Sequence, residues 1–437
     1  MTPTTPQTPT TPAASTTSTR ATSPTNATSA TSPKSAPPLP LPADARWTLV
    51  PLPDAAAFAP HAAAWDALQA RVAGLPFLES AFLAPLLRSF GTGRERLALF
   101  GDPKAPRAAA IVAPAGAGQW STFQPSQLPL GAWLSDAGAP LEPLADGLLR
   151  ALPLSALALG LTQLDSLFHP RADDGARWRG QDYIDTAWVD LAGDFETYWE
   201  ARGKNLRQNL RKQQKKLDTA GTVTRLECLT RPEDVAPALV RYGQLEASGW
   251  KGSEGTAIAP GHPQYEFYRA MLEAFARDGR ARLYQYRFDD AVVAMDLCIE
   301  SGSKIVILKT AYDEAHKAVS PSTLMRQLQF QQLFEAAVAG GPIRRIEFYG
   351  KVMEWHTRWT ADARPIHHAT LYRWGWVPRL KQWLRRGAAT AIAQPAEAGP
   401  VAAEAPAPTP APAAAAPTAS AATSAPGASS ARAESAP

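Results

Sequence analysis

"VILKTAYDEAHKAVSPSTLMRQLQF" (residues 306–330) begins as a β-branched run and ends as a helical pattern, with Ser320-Pro321-Ser322-Thr323 between the two. A strand that enters a helix through a short polar turn aims the first helical amides at whatever lies beside the strand end. Ser320 is an N-cap residue type, and Pro321 suits the first helical position, where its missing N–H costs nothing. The amides of Ser322, Thr323 and Leu324 are then expected as donors, reinforced by the positive end of the helix. Small side chains admit a phosphate to that backbone, and no acidic residue in the first turn repels it. The same residues also read as an ordinary capped helix, so the neighbouring elements must decide.

Those neighbours have a definite order. Residues 282–288 and 291–300 alternate as a hairpin across Asp289-Asp290, and 304–311 adds a third strand. A strand at 223–229 and helices at 232–248 and 263–277 come before them. A helix at 321–339, stopped by Gly340-Gly341, and a strand at 344–349 come after. Further upstream, 183–189 reads as a strand and 195–218 as a helix that ends at Gly221. The first half predicts helices at 55–73, 81–90 and 143–151. Its strands fall at 97–100, 108–113 and 156–161, with an irregular aromatic loop at 116–130.

The chain has 437 residues, 45% of them hydrophobic, which suffices for more than one core. Residues 1–43 and 389–437 are dominated by Thr, Pro, Ser and Ala and are expected to be disordered tails, because they bury too little to offset chain entropy. The remainder divides into expected domains at 44–180 and 181–388. No stretch reads as a membrane span or a secretory signal. Two cysteines without a CxxC pair argue against a disulfide framework or zinc knuckle, and suit a reducing cytoplasmic compartment. The histidines share no ligand spacing with other metal-binding types, so no metal is assigned. A net charge of +4 does not by itself point to nucleic acid.

Four stretches together resemble a known family: "RGKNLRQNLRKQQKKLDTAG" (202–221), "LEASGWKGSEGTAI" (245–258), "LKTAYDEAHKAVSP" (308–321) and "IEFYGKVMEWHTRWT" (346–360). They resemble the GNAT acyltransferases, in the CelD-like, FemAB-related branch, over about residues 182–376. The resemblance implies an α/β (α+β) fold of tandem GNAT-like domains, with mixed, mostly antiparallel sheets flanked by helices and a degenerate first half. It implies acetyl-CoA or another acyl-CoA as co-substrate, its pyrophosphate cradled after the fourth strand. One residue departs from the family's Ser-Pro-Gly turn: Ser322 stands where glycine is usual. A need for positive φ there would weaken phosphate binding, whereas a helical position would tolerate serine.

Acyl transfer needs a base for the acceptor, a polarised carbonyl and a proton for the leaving thiolate. Glu246, before the Gly249-Trp250-Lys251-Gly252 turn, is the first candidate base. Asp296 lies in the apolar run "AVVAMDLCI", where a carboxylate must face a cleft or a cationic partner; alternation puts it on one face with Ala294 and Cys298. Tyr312 ends the presumed fourth strand and is a candidate acid. Lys309, Val319, Ser320, Ser322, Thr323 and Leu324 are candidate coenzyme contacts. Trp250, Lys251, Tyr349, Lys351 and Trp355 are candidates for the acceptor pocket. In the 202–216 helix, Leu206, Leu210 and Leu217 form a narrow stripe, and Lys204, Arg207, Arg211, Lys212, Lys215 and Lys216 cover much of the rest. That basic face suits solvent, coenzyme phosphates or RNA. The readings are thus an acyl-CoA-dependent N- or O-acyltransferase acting on a small molecule or cell-envelope saccharide, an aminoacyl-tRNA-dependent FemAB-type transferase, and a non-catalytic GNAT-like binding module.

Overall fold

The computed structural model describes residues 45–248 and 258–377. The two expected tails lie outside the described residues, as do Trp250 and Lys251. The chain first runs through β1 (Trp47–Leu52), α1 (Ala62–Val72), α2 (Ser80–Phe90), β2 (Glu95–Asp102), β3 (Ala105–Gly116), β4 (Gln119–Thr122), the short β5 (Trp133–Ser135), α3 (Leu141–Ala151) and β6 (Ala158–Asp165). After β7 (Trp178–Asp190), α4 (Phe195–Glu200) and α5 (Lys204–Thr219), the same order returns. It comprises β8 (Thr224–Leu229), α6 (Pro232–Ala247), α7 (Pro263–Arg277), β9 (Ala281–Phe288), β10 (Ala291–Ser301), β11 (Lys304–Tyr312), α8 (Pro321–Val338) and β12 (Arg345–Glu347). A one-turn helix α9 (Glu354–Thr357) and β13 (Ala363–Tyr372) close the described chain.

Apart from the short β5, both runs read strand, two helices, three antiparallel strands, helix, strand. In both, the last strand pairs parallel with the third of the three, β6 with β4 and β12 with β11. This internal repeat forms one mixed sheet of thirteen strands with helices on both faces. The order is β1-β2-β3-β4-β6-β13-β7-β12-β11-β10-β9-β8, with β5 paired to β3.

Helices α1, α2, α6 and α7 share one core on one side, where Phe82 of α2 meets Phe267 of α7 edge-on at 5.1 Å. Both rings are fully buried, and burial of such a side chain contributes about 1.5–3 kcal/mol. The remaining core is divided, α3 covering the first half and α4, α5 and α8 the second.

Local chemistry explains the best-read boundaries. Gly221, at φ +73°, ends α5: its amide bonds the Asp218 carbonyl and the Thr222 amide bonds that of Leu217, the paired bonds of a glycine-terminated helix. The single helix expected at 195–218 is instead α4 and α5, re-initiated with Gly203 as the N-cap of α5. The loop expected at 116–130 contains β4, and neither β1 nor β13 was expected.

Candidate active site

The two parallel pairs end differently. β11 and β12 pair only over Lys304–Arg345 to Val306–Glu347. β11 then runs on to Tyr312, while the chain beyond β12 follows β7, Phe348 and Val352 donating to the carbonyls of Ala187 and Asp185. The strands therefore splay, and a cavity of about 590 Å³ opens between them above the first turns of α8. In the first half the equivalent gap is filled by the chain itself. Thr122 and Thr162 join hydroxyls at 2.7 Å, the Gly131 amide donates to the Thr162 carbonyl, and Phe123, Leu128 and Leu130 are buried beside them.

Five cations line the cavity, Lys309, Lys317, Arg326, Lys351 and Arg358, and among the described residues none that lines it is acidic. Its aromatic wall includes Tyr312, Phe348, Trp355 and Trp359. Lys309, Tyr312, Ser320, Ser322, Thr323, Lys351 and Trp355 are thus brought together, as candidates drawn from two distant stretches. Val319 and Leu324 pack into the core instead.

The expected seat of three amides is not formed. Leu324 donates to the Ser320 carbonyl, the ordinary first bond of a helix that starts at Pro321, and Thr323 donates to the same carbonyl at 2.9 Å. Only the Ser322 amide has no bond within the protein among the described residues. Nor does the Ser320 side chain cap the helix; its hydroxyl takes a bond from Gln213 of α5 at 3.1 Å. The left-handed residue is Ser320 (φ +47°), not Ser322, which is helical. Serine in place of glycine at 322 therefore carries no backbone strain.

Beneath the cavity lies a buried charge pair. Asp296 and Arg326 are 0% and 3% exposed, and Nη1 reaches Oδ2 at 2.6 Å. Thr310, directly across from Asp296 on β11, donates to Oδ1 at 2.6 Å and accepts from Arg326 Nη2 at 3.0 Å. Burial raises the Asp296 carboxyl above its ordinary pKa, and Arg326 and Thr310 pull against it. Asp296 does share a face with Ala294 and Cys298, but that face meets α8, so it holds Arg326 rather than lining the cavity.

Glu246 is likewise buried. It accepts from Lys309 Nζ at 2.9 Å, from the Ile258 amide at 3.1 Å and from the Tyr242 hydroxyl at 3.3 Å. Lys309, not Glu246, reaches the cavity wall. Tyr349 turns away to donate to Asp165 at 2.9 Å and pack edge-on against Phe77. Its backbone takes φ +47°, so two of the four non-glycine residues at positive φ among the described residues flank this cavity.

Residues 204–357, which hold both walls of the cavity, match the family described as acetyltransferase (GNAT) domain. The chain carries a GNAT domain. No curated protein matches the sequence. Among solved structures, L-PGS from Bacillus licheniformis is 14% identical over 74% of this chain and 95% of its own, with a TM-score of 0.41. A tandem GNAT protein of the clavulanic acid biosynthesis pathway is 14% identical over 74% and 98%, at 0.39. FemX is 10% identical over 66% and 90%, at 0.42. At these similarities the structures carry no argument about chemistry.

Among the cavity residues of the GNAT domain that escaped the sequence reading are Thr310, Lys317, Arg326, His356 and Arg358. His356 Nδ1 accepts the Met353 amide at 2.9 Å, which places the ring proton on Nε2. Burial lowers its pKa to about 4, so near neutrality it is a hydrogen-bond donor and not a base. In the unfolded chain this imidazole protonates near 6.5, so stability should fall as pH drops from about 6.5 to about 4. At 1.36 kcal/mol per pKa unit, and reduced for partial solvent screening, the contribution is about 1–2 kcal/mol. His356→Asn should flatten the acid limb of urea-unfolding stability by about that amount; parallel curves for the two proteins would refute the assignment.

Beside the cavity, a groove of about 530 Å³ separates α5 from the start of α8 and shares Ser320, Thr323 and Arg358 with it. α5 lines this groove with Asn205, Asn209 and Gln213, at helical spacing, and with none of its cations. Lys204, Arg211, Lys212, Lys215 and Lys216 are exposed elsewhere on the helix.

Proposed function

We propose that the protein is an acyl-CoA-dependent acyltransferase whose donor enters the cavity between β11 and β12. The observation that carries this reading is the cavity's lining, among the described residues, of five cations and no acid at the splayed pair β11 and β12. A polyanionic ligand with an apolar end fits such a lining. Lys317 and Lys351, which make no ion pair among the described residues, supply charge for the phosphates in place of the missing amides. The coenzyme would supply an activated thioester. The acceptor nitrogen or oxygen bonds to the acyl carbon as the carbon–sulfur bond breaks; the acceptor's proton passes to water in the open cavity, and the Tyr312 hydroxyl, on the cavity wall, donates a proton to the departing thiolate and regains one from solvent. Glu246 acts as a positioning residue that fixes Lys309. The repeat supports a division of the chain near residue 180 into a structural first half and a catalytic second half, and a saccharide or small-molecule acceptor remains part of the proposal.

The test is a thermal and chemical unfolding titration with acetyl-CoA and longer acyl-CoAs. A ligand at 100 times its Kd should stabilise the fold by about 2.7 kcal/mol. Tyr312→Phe should keep that stabilisation and lower kcat by about 100-fold. No stabilisation at millimolar coenzyme would reject the donor assignment. The exposed cations of α5 favour the aminoacyl-tRNA reading as the second one. Stabilisation by charged tRNA alone, lost on replacing Lys212, Lys215 and Lys216 by alanine, would select it.

A further inference from the structure

The groove between α5 and the start of α8 shares Ser320, Thr323 and Arg358 with the cavity, so a molecule lying in it would abut the donor. Its wall on α5 is a row of carboxamides. Asn205, Asn209 and Gln213 stand four residues apart, about one helical turn each, so the row runs for about 12 Å. Asn205 and Asn209 are exposed, and among the described residues neither side chain bonds within the protein. Gln213 is half-buried. Its Nε2 donates to the Ser320 hydroxyl at 3.1 Å, and its Oε1 has no partner among the described residues. Ser320 and Thr323 at the start of α8, with Thr357 of α9, add hydroxyls, and the buried Leu206 and Leu210 give the groove an apolar base.

The charge pattern is selective. α5 carries six cations, Lys204, Arg207, Arg211, Lys212, Lys215 and Lys216, yet none of them lines the groove. The charged residues that do line it among those described, Glu354 and Arg358, pair with each other at 2.8 Å. A phosphate-bearing ligand, whether the nucleoside end of the coenzyme or RNA, finds little net charge there and a better seat among the five cations of the cavity. Carboxamides and hydroxyls both donate and accept, as the hydroxyls of a sugar do. We propose that the groove is the acceptor subsite and takes an uncharged, polyhydroxylated acceptor, a saccharide, lying along α5 with one hydroxyl reaching the cavity. This assignment rests on the donor reading above. The oxygen of that hydroxyl bonds to the acyl carbon as the carbon–sulfur bond breaks, which gives a saccharide ester and a free thiol. Its proton passes to water, and the thiolate takes one from Tyr312.

Saturation-transfer NMR on the full-length protein, without coenzyme, tests the groove with chitotriose, maltotriose and cellotriose. At least one should bind, and Asn205→Ala with Asn209→Ala should weaken it by roughly tenfold, each lost hydrogen bond being worth a few-fold. Both positions are exposed and alanine is the stronger helix former, so the double variant should fold as the parent does. It should bind acetyl-CoA as tightly as the parent in isothermal titration. In turnover followed by thiol release, it should show a raised saccharide KM with little change in kcat. Replacing Lys212, Lys215 and Lys216 by alanine should leave saccharide affinity unchanged. Absence of binding by all three saccharides overturns the proposal, as does undiminished binding by the double variant. A tenfold loss of acetyl-CoA affinity in that variant overturns it in favour of the coenzyme's nucleoside, and saccharide binding lost with the lysines moves the ligand to the exposed basic face. Amide-dependent saccharide binding by a parent that binds no acyl-CoA would reject the donor reading, and with it the acceptor role, while keeping the groove as a saccharide site.

Discussion

Arg326→Ala should destabilise the protein by about 3–5 kcal/mol, the cost of leaving a buried carboxylate without its partner. Asp296 is fully buried and receives two charge-assisted bonds from Arg326, at 2.6 and 3.3 Å. Alanine removes both and also strips Thr310 of the guanidinium that steadies it. In a chain of this size each kcal/mol moves the midpoint by roughly 2–4 °C, so a loss on the order of 10 °C is expected in a thermal scan. The pair's net worth is a separate quantity. Replacing both partners by apolar residues of similar volume, Asp296→Leu with Arg326→Met, should restore most of the loss, because desolvating the pair consumes much of its attraction. A single variant within 1 kcal/mol of the parent would show that water reaches Asp296, contrary to the burial of both side chains.

Ser322→Glu should have the largest effect on the proposed reaction while sparing the fold. Position 322 lies in the first turn of α8, where a carboxylate interacts favourably with the helix end, so stability should stay equal or rise by about 0.3–1 kcal/mol. The same carboxylate would stand in the cavity mouth beside Thr323 and the only first-turn amide of the expected three without a protein partner. Like charges brought together at a binding site cost several kcal/mol. At 1.4 kcal/mol per factor of ten, coenzyme affinity should fall by roughly 100-fold. Isothermal titration with acyl-CoA measures the loss, and Ser322→Gln should keep most of the binding. Equal affinity for Ser322→Glu would move the donor phosphates elsewhere and remove the first turn of α8 from the site.

The contrast between these two positions shows how far the sequence could be read. The strands of the second half were legible because apolar alternation persists through β9, β10 and β11 with a turn between each pair. α7 was legible at both ends because proline opens it and glycine follows it. β13 escaped because "ARPIHHATLY" carries a proline and two histidines, which argue against a central strand. A bulge at Ile366/His367 breaks its register with β7. For the cavity, the splay point and the two walls were marked by the ends of β11 and β12. Arg326 was not, since an arginine in a glutamine-rich helix reads as solvated. Its signal lay in Asp296: a carboxylate inside an apolar strand demands a cation, and α8 carries only one, Arg326. Tyr349 faces away from the cavity by plain alternation: Ile346 and Phe348 face the core under α8, while Glu347 and Tyr349 face the other side, where Arg364 and Asp165 receive them.

β13 is also the one strand that joins β6 to β7, and it is the last element of the sheet to leave the ribosome. Roughly 200 residues of synthesis separate β6 from this partner, so the first half must wait with an open, hydrogen-bonding margin while the second is made. Such late, distant pairing slows folding and leaves nascent chains vulnerable to sticking together. Stop codons just before residue 363 should therefore yield aggregates, even though every residue that lines the cavity would already have been translated.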